Sequence, residues 1–200
     1  MRRAGWTVVT FNYRGSWGSP GRFRFAGNLE DARAVLAYLR NPANSARLAV
    51  DTKRIVVAGH SMGGWVAAMT AERDPALAGA ILISAANMGG RKMTRKEAVA
   101  LMADNMEALA GVTAESMADE MLASTAAFDW TPGAAGLARH PLLVLTSDDG
   151  LGPMSDALAA AVKAAPGARV SAVHAGTDHG WSSARIRLAH EVITWLQALP

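Results

Sequence analysis

Apolar residues in this 200-residue chain gather in short, nearly continuous runs that alternate with longer stretches of helical periodicity. Five runs are strand-like: residues 6–12 (WTVVTFN), 54–59 (RIVVAG), 79–85 (GAILISA), 141–147 (PLLVLTS) and 168–174 (ARVSAVH). Between them lie helical patterns. In 28–40, Leu29, Val35, Leu36 and Leu39 share one face, with Asn28 as a cap and Pro42 as a stop. Residues 62–74 open a helix with no linker after the second run. Residues 153–165 place Pro153 at a first helical position, and 182–199 close the chain. Continuous apolar strands separated by helices predict an α/β fold: a mostly parallel sheet of about five strands, flanked by helices on both faces.

Residues 87–140 break this rhythm. They hold two amphipathic helical patterns, RKEAVALMADNMEALAG and AESMADEMLASTAAF, joined near Gly111, and a looser DWTPGAAGLARH returning to the sheet. We expect a helical cap inserted in a single domain spanning 1–200. Met88, Met93, Met102, Met106, Met117 and Met121 stud this insertion. Spacings such as Met102/Met106 and Met117/Met121 suit the apolar face by which cap helices dock; the sharper alternative is a plastic apolar substrate pocket.

Composition narrows the classes. Half of the residues are hydrophobic, enough for a sizeable core. Twenty Lys and Arg against 17 Asp and Glu leave a net charge of +3, with the arginines scattered, so no nucleic-acid partner is inferred. There is no cysteine, hence no disulfide, thiol nucleophile or thiolate metal site. No His/Asp/Glu cluster has metal-ligand spacing, and no cofactor is expected. The apolar run after Met1, Arg2 and Arg3 is short and lacks a small-residue cleavage pattern, and nothing approaches the roughly 18 apolar residues of a membrane span. A cytoplasmic protein is expected.

The most informative stretch is VVAGHSMGGWVA, residues 56–67. A strand ends at Gly59, Ser61 sits at the turn, and a helix begins at once, with Gly63 and Gly64 in its first turn. Gly-x-Ser-x-Gly in that context is a nucleophile elbow. The turn is tight enough that neighbouring positions have little room for side chains. The serine is pushed out above the carboxyl edge of the sheet, and the helix N-terminus behind it favours developing negative charge. The backbone N–H of Met62 is then one oxyanion donor. The plainer alternative is a glycine-rich turn whose serine merely caps the helix.

On these residues the chain resembles the α/β-hydrolase superfamily, over nearly its whole length. GHSMGG is a common form of the elbow. FNYRGSWGSPG resembles the strand and loop before it, LLVLTSDDGLGP the strand and loop bearing the acid, and GTDHGWS the loop bearing the histidine. The order Ser, Asp, His is also the family's. The resemblance implies a serine hydrolase of the esterase/lipase type. Its histidine would be His179, with His174 the rival, and its acid Asp149, four residues before Pro153, with Asp148 the alternative. His60, inside the elbow, projects away from Ser61; His140 lies at the wrong edge of the sheet; His190 falls mid-helix. Trp17, Trp65 and Trp181 are expected to pack, or to border the acyl pocket.

Family members normally carry two or three strands before the one at Trp6, and the last of these supplies a second oxyanion donor through a His-Gly motif. Relative to them the chain is expected to be N-terminally truncated. Two outcomes are then expected for the sheet. Either the run 6–12 pairs directly with 54–59, or another chain, such as a second copy, completes the sheet. The loop 14–18 (RGSWG) is the candidate substitute donor. The expected activity is cleavage of a small-molecule carboxylic ester or related acyl bond through an acyl-enzyme on Ser61. The alternative is a degenerate hydrolase or gene-model fragment with little activity, acting as a binding module.

Overall fold

Every residue of strand β3 (Pro141–Ser147) is buried, as a continuous apolar run must be when helices cover both sides of a sheet. In this computed structural model, which describes residues 1 and 4–199, four parallel strands lie in the order β1 (Val56–His60), β2 (Gly79–Ile83), β3, β4 (Arg169–Ala175). Alternation along the strands divides the core into two layers. Ala80, Leu82, Leu142 and Val144 pack with α1 (Phe25–Arg40), α3 (Met62–Ala71) and α7 (Gly152–Lys163). Ile81, Leu143 and Leu145 pack instead with Trp181 and with Val192 and Leu196 of α8 (Arg185–Gln197). A slip of one residue would exchange the layers, so the pattern fixes the register.

The sheet has four strands among the described residues, not about five. Residues 7–12 form no regular element and, among the described residues, neither donate nor accept a backbone hydrogen bond. Val8, Val9 and Phe11 are 40–45% exposed. The expected direct pairing with β1 is therefore absent, and no strand lies between. A cleft of about 480 Å³ separates the two backbones, with Val9, Phe11 and Tyr13 on one side, Val57 and Ala58 on the other, and Leu36 and Val66 beneath. Burying so many unpaired peptide groups would cost ~1–3 kcal/mol each. Here that cost does not arise, because residues 7–12 and Ala58 are exposed and water can satisfy them. The segment is held at its ends: the Arg54 guanidinium lies 5.2 Å from the centre of the Trp6 ring, and Tyr13 packs on the core.

α1 begins at Phe25 rather than at Asn28, because its first N–H groups find a partner remote in sequence. The Glu120 carboxylate accepts from the amides of Phe25 and Ala26, each at 3.1 Å. An anion there also complements the helix dipole. Asn28 is consequently not a cap but a buried residue inside the helix. Pro42 ends α1 and also opens α2 (Pro42–Leu48), where the Asn41 side chain accepts from the Ala43 amide at 3.0 Å.

Residues 87–140 hold α4 (Arg95–Ala103), α5 (Ala114–Ala123), a 3₁₀ turn (Thr131–Gly133) and α6 (Ala134–Leu137). The first helical pattern stops at Ala103, short of Gly111. Residues 108–110 leave the helix to meet the loop after Tyr13: Trp17 donates to the Ala108 carbonyl at 2.9 Å and Ala110 to that of Gly15 at 2.8 Å. Met102, Met117 and Met121 are buried in the main core, which fits a docking face. Trp65 and Trp181 are fully buried, but Trp17 is 72% exposed and packs into nothing.

Candidate active site

Ser61 stands between β1 and α3 with φ 57° and ψ −125°, a conformation strained for any residue with a side chain. The sequence around it makes that turn buildable. A β-carbon at Gly59 would run into the carbonyl of Gly63, and one at Gly64 would run into Ala85. The Ser61 amide donates to the Ile83 carbonyl at 3.0 Å, and its own carbonyl accepts from Gly64 at 3.0 Å and Ala86 at 3.1 Å. The turn is thus pinned to β2 and to the loop after it. The Met62 N–H donates to no backbone carbonyl among the described residues and stays free at the start of α3.

The loop after β3 brings a carboxylate to the same edge. Asp149 Oδ2 accepts from His179 Nδ1 at 2.7 Å, and its Oδ1 accepts from the Leu151 amide at 2.8 Å. Its side chain is only 4% exposed. Burial alone would raise its pKa, but the hydrogen bonds from His179, Leu151 and Ser147 outweigh it and hold the carboxyl below its usual range. Ser147 belongs to a buried chain of contacts: Trp181 Nε1 donates to Ser84 Oγ at 3.0 Å, and Ser84 and Ser147 share a hydrogen bond of 2.7 Å. Nothing in the sequence marked these two serines, because each lies inside or just after an apolar strand with no pattern of its own.

The other candidates fall elsewhere. Asp148 lies 3.1 Å from His174 Nε2, whose Nδ1 meets Thr146 Oγ1 at 3.1 Å, so this second acid–imidazole pair is spent locally on an exposed face. Asp149, by contrast, also closes its own loop, accepting from the Leu151 amide two residues on. His140 is buried with its ring nitrogens on the carbonyls of Leu77 and Ala71. His190 is exposed on α8. Asp178 accepts from the Ser182 amide at 2.7 Å rather than meeting His179.

Two links of the expected constellation differ. No hydrogen bond joins Ser61 Oγ to His179 among the described residues, although His179 packs against His60, the residue next to Ser61. Such bonds are often long without substrate and tighten in the Michaelis complex. Of the loop 14–18, expected to offer substitute donors, four amides are already spent and among the described residues only that of Gly18 has no acceptor. Arg14 donates to Asp31 at 2.8 Å, Gly15 to the Pro20 carbonyl at 3.2 Å, Ser16 to that of Tyr13 at 3.0 Å and Trp17 to that of Ala108 at 2.9 Å. A loop this rich in glycine folds onto its own acceptors and onto residues 108–110. Among the described residues no group of three or more His, Asp or Glu side chains could hold a metal, and no helix is long and apolar enough to cross a membrane.

Comparison with known proteins agrees with the fold. The model of the alpha/beta hydrolase family matches residues 1–191. Among curated proteins, the alpha/beta hydrolase domain-containing protein WAV2 of Arabidopsis thaliana is 37% identical over 76 residues, 38% of this chain and 23% of its own length. Among solved structures, the esterase Pf2001 of Pyrococcus furiosus superposes with a TM-score of 0.69 at 16% identity, over 98% of this chain and 70% of its own. An alpha-beta hydrolase from Vibrio vulnificus superposes with a TM-score of 0.62 at 25% identity, over 92% and 61%. The chain therefore spans about a quarter of the curated relative and about three fifths of the Vibrio protein.

Proposed function

The chain belongs to the alpha/beta hydrolase family, and from that premise we propose that it is a serine hydrolase cleaving a small-molecule carboxylic ester or related acyl bond. The observation that carries this reading is the Asp149–His179 pair set against the strained Ser61 turn. The carboxylate accepts a hydrogen bond from the Nδ1–H of His179, which holds the tautomer whose Nε2 is bare and can act as a base. As Ser61 Oγ attacks the acyl carbon, its proton passes to Nε2, and the Met62 N–H stabilises the oxyanion. His179 then returns the proton to the leaving alcohol, and water repeats the sequence to release the acid. Residues 87–140 act in this reading as a helical cap over the sheet edge that bears Ser61.

Removing one oxyanion donor typically costs ~10²–10³ in rate, so a site served by the Met62 N–H alone would be a slow hydrolase. That same feature favours a second reading, a degenerate hydrolase that binds acyl compounds without turning them over. A fluorophosphonate probe separates the two. Labelling of the wild type that disappears in Ser61→Ala and weakens sharply in His179→Ala supports the hydrolase. Folded protein that takes no label supports the binding module.

A further inference from the structure

His60 ends β1 with its side chain on the opposite face of the strand from Gly59. There the loop of His179 lies on it: His60 Nε2 is 2.7 Å from the His179 carbonyl oxygen, and the two rings are 4.4 Å apart, tilted by 48°. We propose that His60 is a positioning residue, which donates its Nε2–H to the main chain of His179 and so fixes where the base stands relative to Ser61. This rests on the reading of Ser61 and His179 given above.

His179 is otherwise tethered by its side chain alone, through Nδ1 to Asp149. One such bond sets the tautomer but leaves the ring free to swing about it. A second bond to the main chain of the same residue removes that freedom. Its donor is also covalently next to Ser61, so base and elbow cannot drift apart without breaking it. The requirement is steep, because a displacement of about 1 Å at a reacting group costs on the order of a hundredfold in rate.

The chemistry of His60 suits this task. Although much of its surface is exposed, the loop packed on it desolvates the ring, and burial holds its pKa below the usual histidine range. A neutral imidazole still donates one N–H, and it puts no positive charge beside His179 when that residue takes the serine proton. Its Nε2–H is spent on the carbonyl, which ties the ring to the His179 loop.

The test compares wild type with His60→Leu, which removes the donor, and His60→Gln, which restores an N–H near the Nε2 position. With a chromogenic short-chain ester, His60→Leu should lose about tenfold to a hundredfold in kcat with KM within about twofold. Fluorophosphonate labelling should slow in parallel, and His60→Gln should recover most of both. The Nδ1–H proton resonance of His179 should be sharp in wild type and His60→Gln and broadened in His60→Leu. Wild-type kcat and labelling in His60→Leu, or equal losses in both variants, would overturn the proposal. A wild type that takes no label overturns the hydrolase reading instead; the resonance needs no turnover, and an unchanged line in His60→Leu then refutes the positioning role by itself.

Discussion

The carboxylate of Asp149 lies 2.7 Å from His179 Nδ1 on a side chain that is 4% exposed. Its neighbour Asp148 is 65% exposed and faces His174. The spacing to Pro153 favoured Asp149, with Asp148 as the alternative. Asp149→Asn should therefore lower kcat by roughly 10³–10⁴, since an amide cannot hold His179 in the right tautomer or support its positive charge. Asp148→Asn should stay within about threefold of wild type, because an exposed pair contributes only ~0–1 kcal/mol. Steady-state kinetics of the two variants on one ester check this.

The same carboxylate links stability to pH. Its pKa is held below the ordinary Asp value of about 3.9. The unfolded chain thus binds this proton more readily than the folded one. The stabilisation is full above the ordinary range and is lost as pH falls through the depressed folded value. Thermal melts taken from about pH 6 down to about pH 2 should show a shallower acid loss of Tm in Asp149→Asn than in wild type. A parallel loss would mean that the pair makes no contribution.

Gly59 and Gly63 look alike in the motif but answer to different constraints. A β-carbon at Gly59 meets the carbonyl of Gly63, which is backbone and cannot swing aside, whereas one at Gly63 meets nothing within 4 Å. Gly59→Ala should destabilise the fold by about 3 kcal/mol or more. Gly63→Ala, in the first turn of α3, should be neutral or stabilising by up to ~1 kcal/mol. Denaturant unfolding of the two variants separates a packing requirement from a motif habit.

How much of this was legible in the sequence follows from where each constraint acts. β3 was found at its true bounds, 141–147, because both of its faces are apolar and the signal is local. The elbow was legible because its tightest demand is local: a β-carbon at Gly59 would meet the backbone of Gly63, four residues on. The start of α1 was not, since its cap is Glu120, 95 residues from Phe25. The early stop of α4 was hidden for the same reason: the pairing of 108–110 with 15–17 overrides a helical pattern. The run 6–12 has the composition of a strand, but composition cannot supply a partner.

That last point yields a measurement. On either side of β1 the Ile55 carbonyl and the Ser61 amide both face β2, at 2.8 Å from the Ala78 amide and 3.0 Å from the Ile83 carbonyl. Alternation then sends the amides of Val57 and Gly59 to β2, and those of Ala58 and His60 to the cleft. Native-state hydrogen exchange should show that alternation directly. Val57 and Gly59 should be protected with the body of the sheet, while Ala58, His60 and residues 7–12 should exchange almost as fast as an unfolded peptide. Leu143 and Leu145, buried in the middle of β3, should open only with the whole domain, at about 5–15 kcal/mol. Because both walls of the cleft are exposed, fast exchange there is the signature of an open sheet edge. Matching protection at Ala58, His60 and residues 7–12 would instead mean that a strand occupies the cleft in solution. If that protection grows with protein concentration, the strand comes from a second copy.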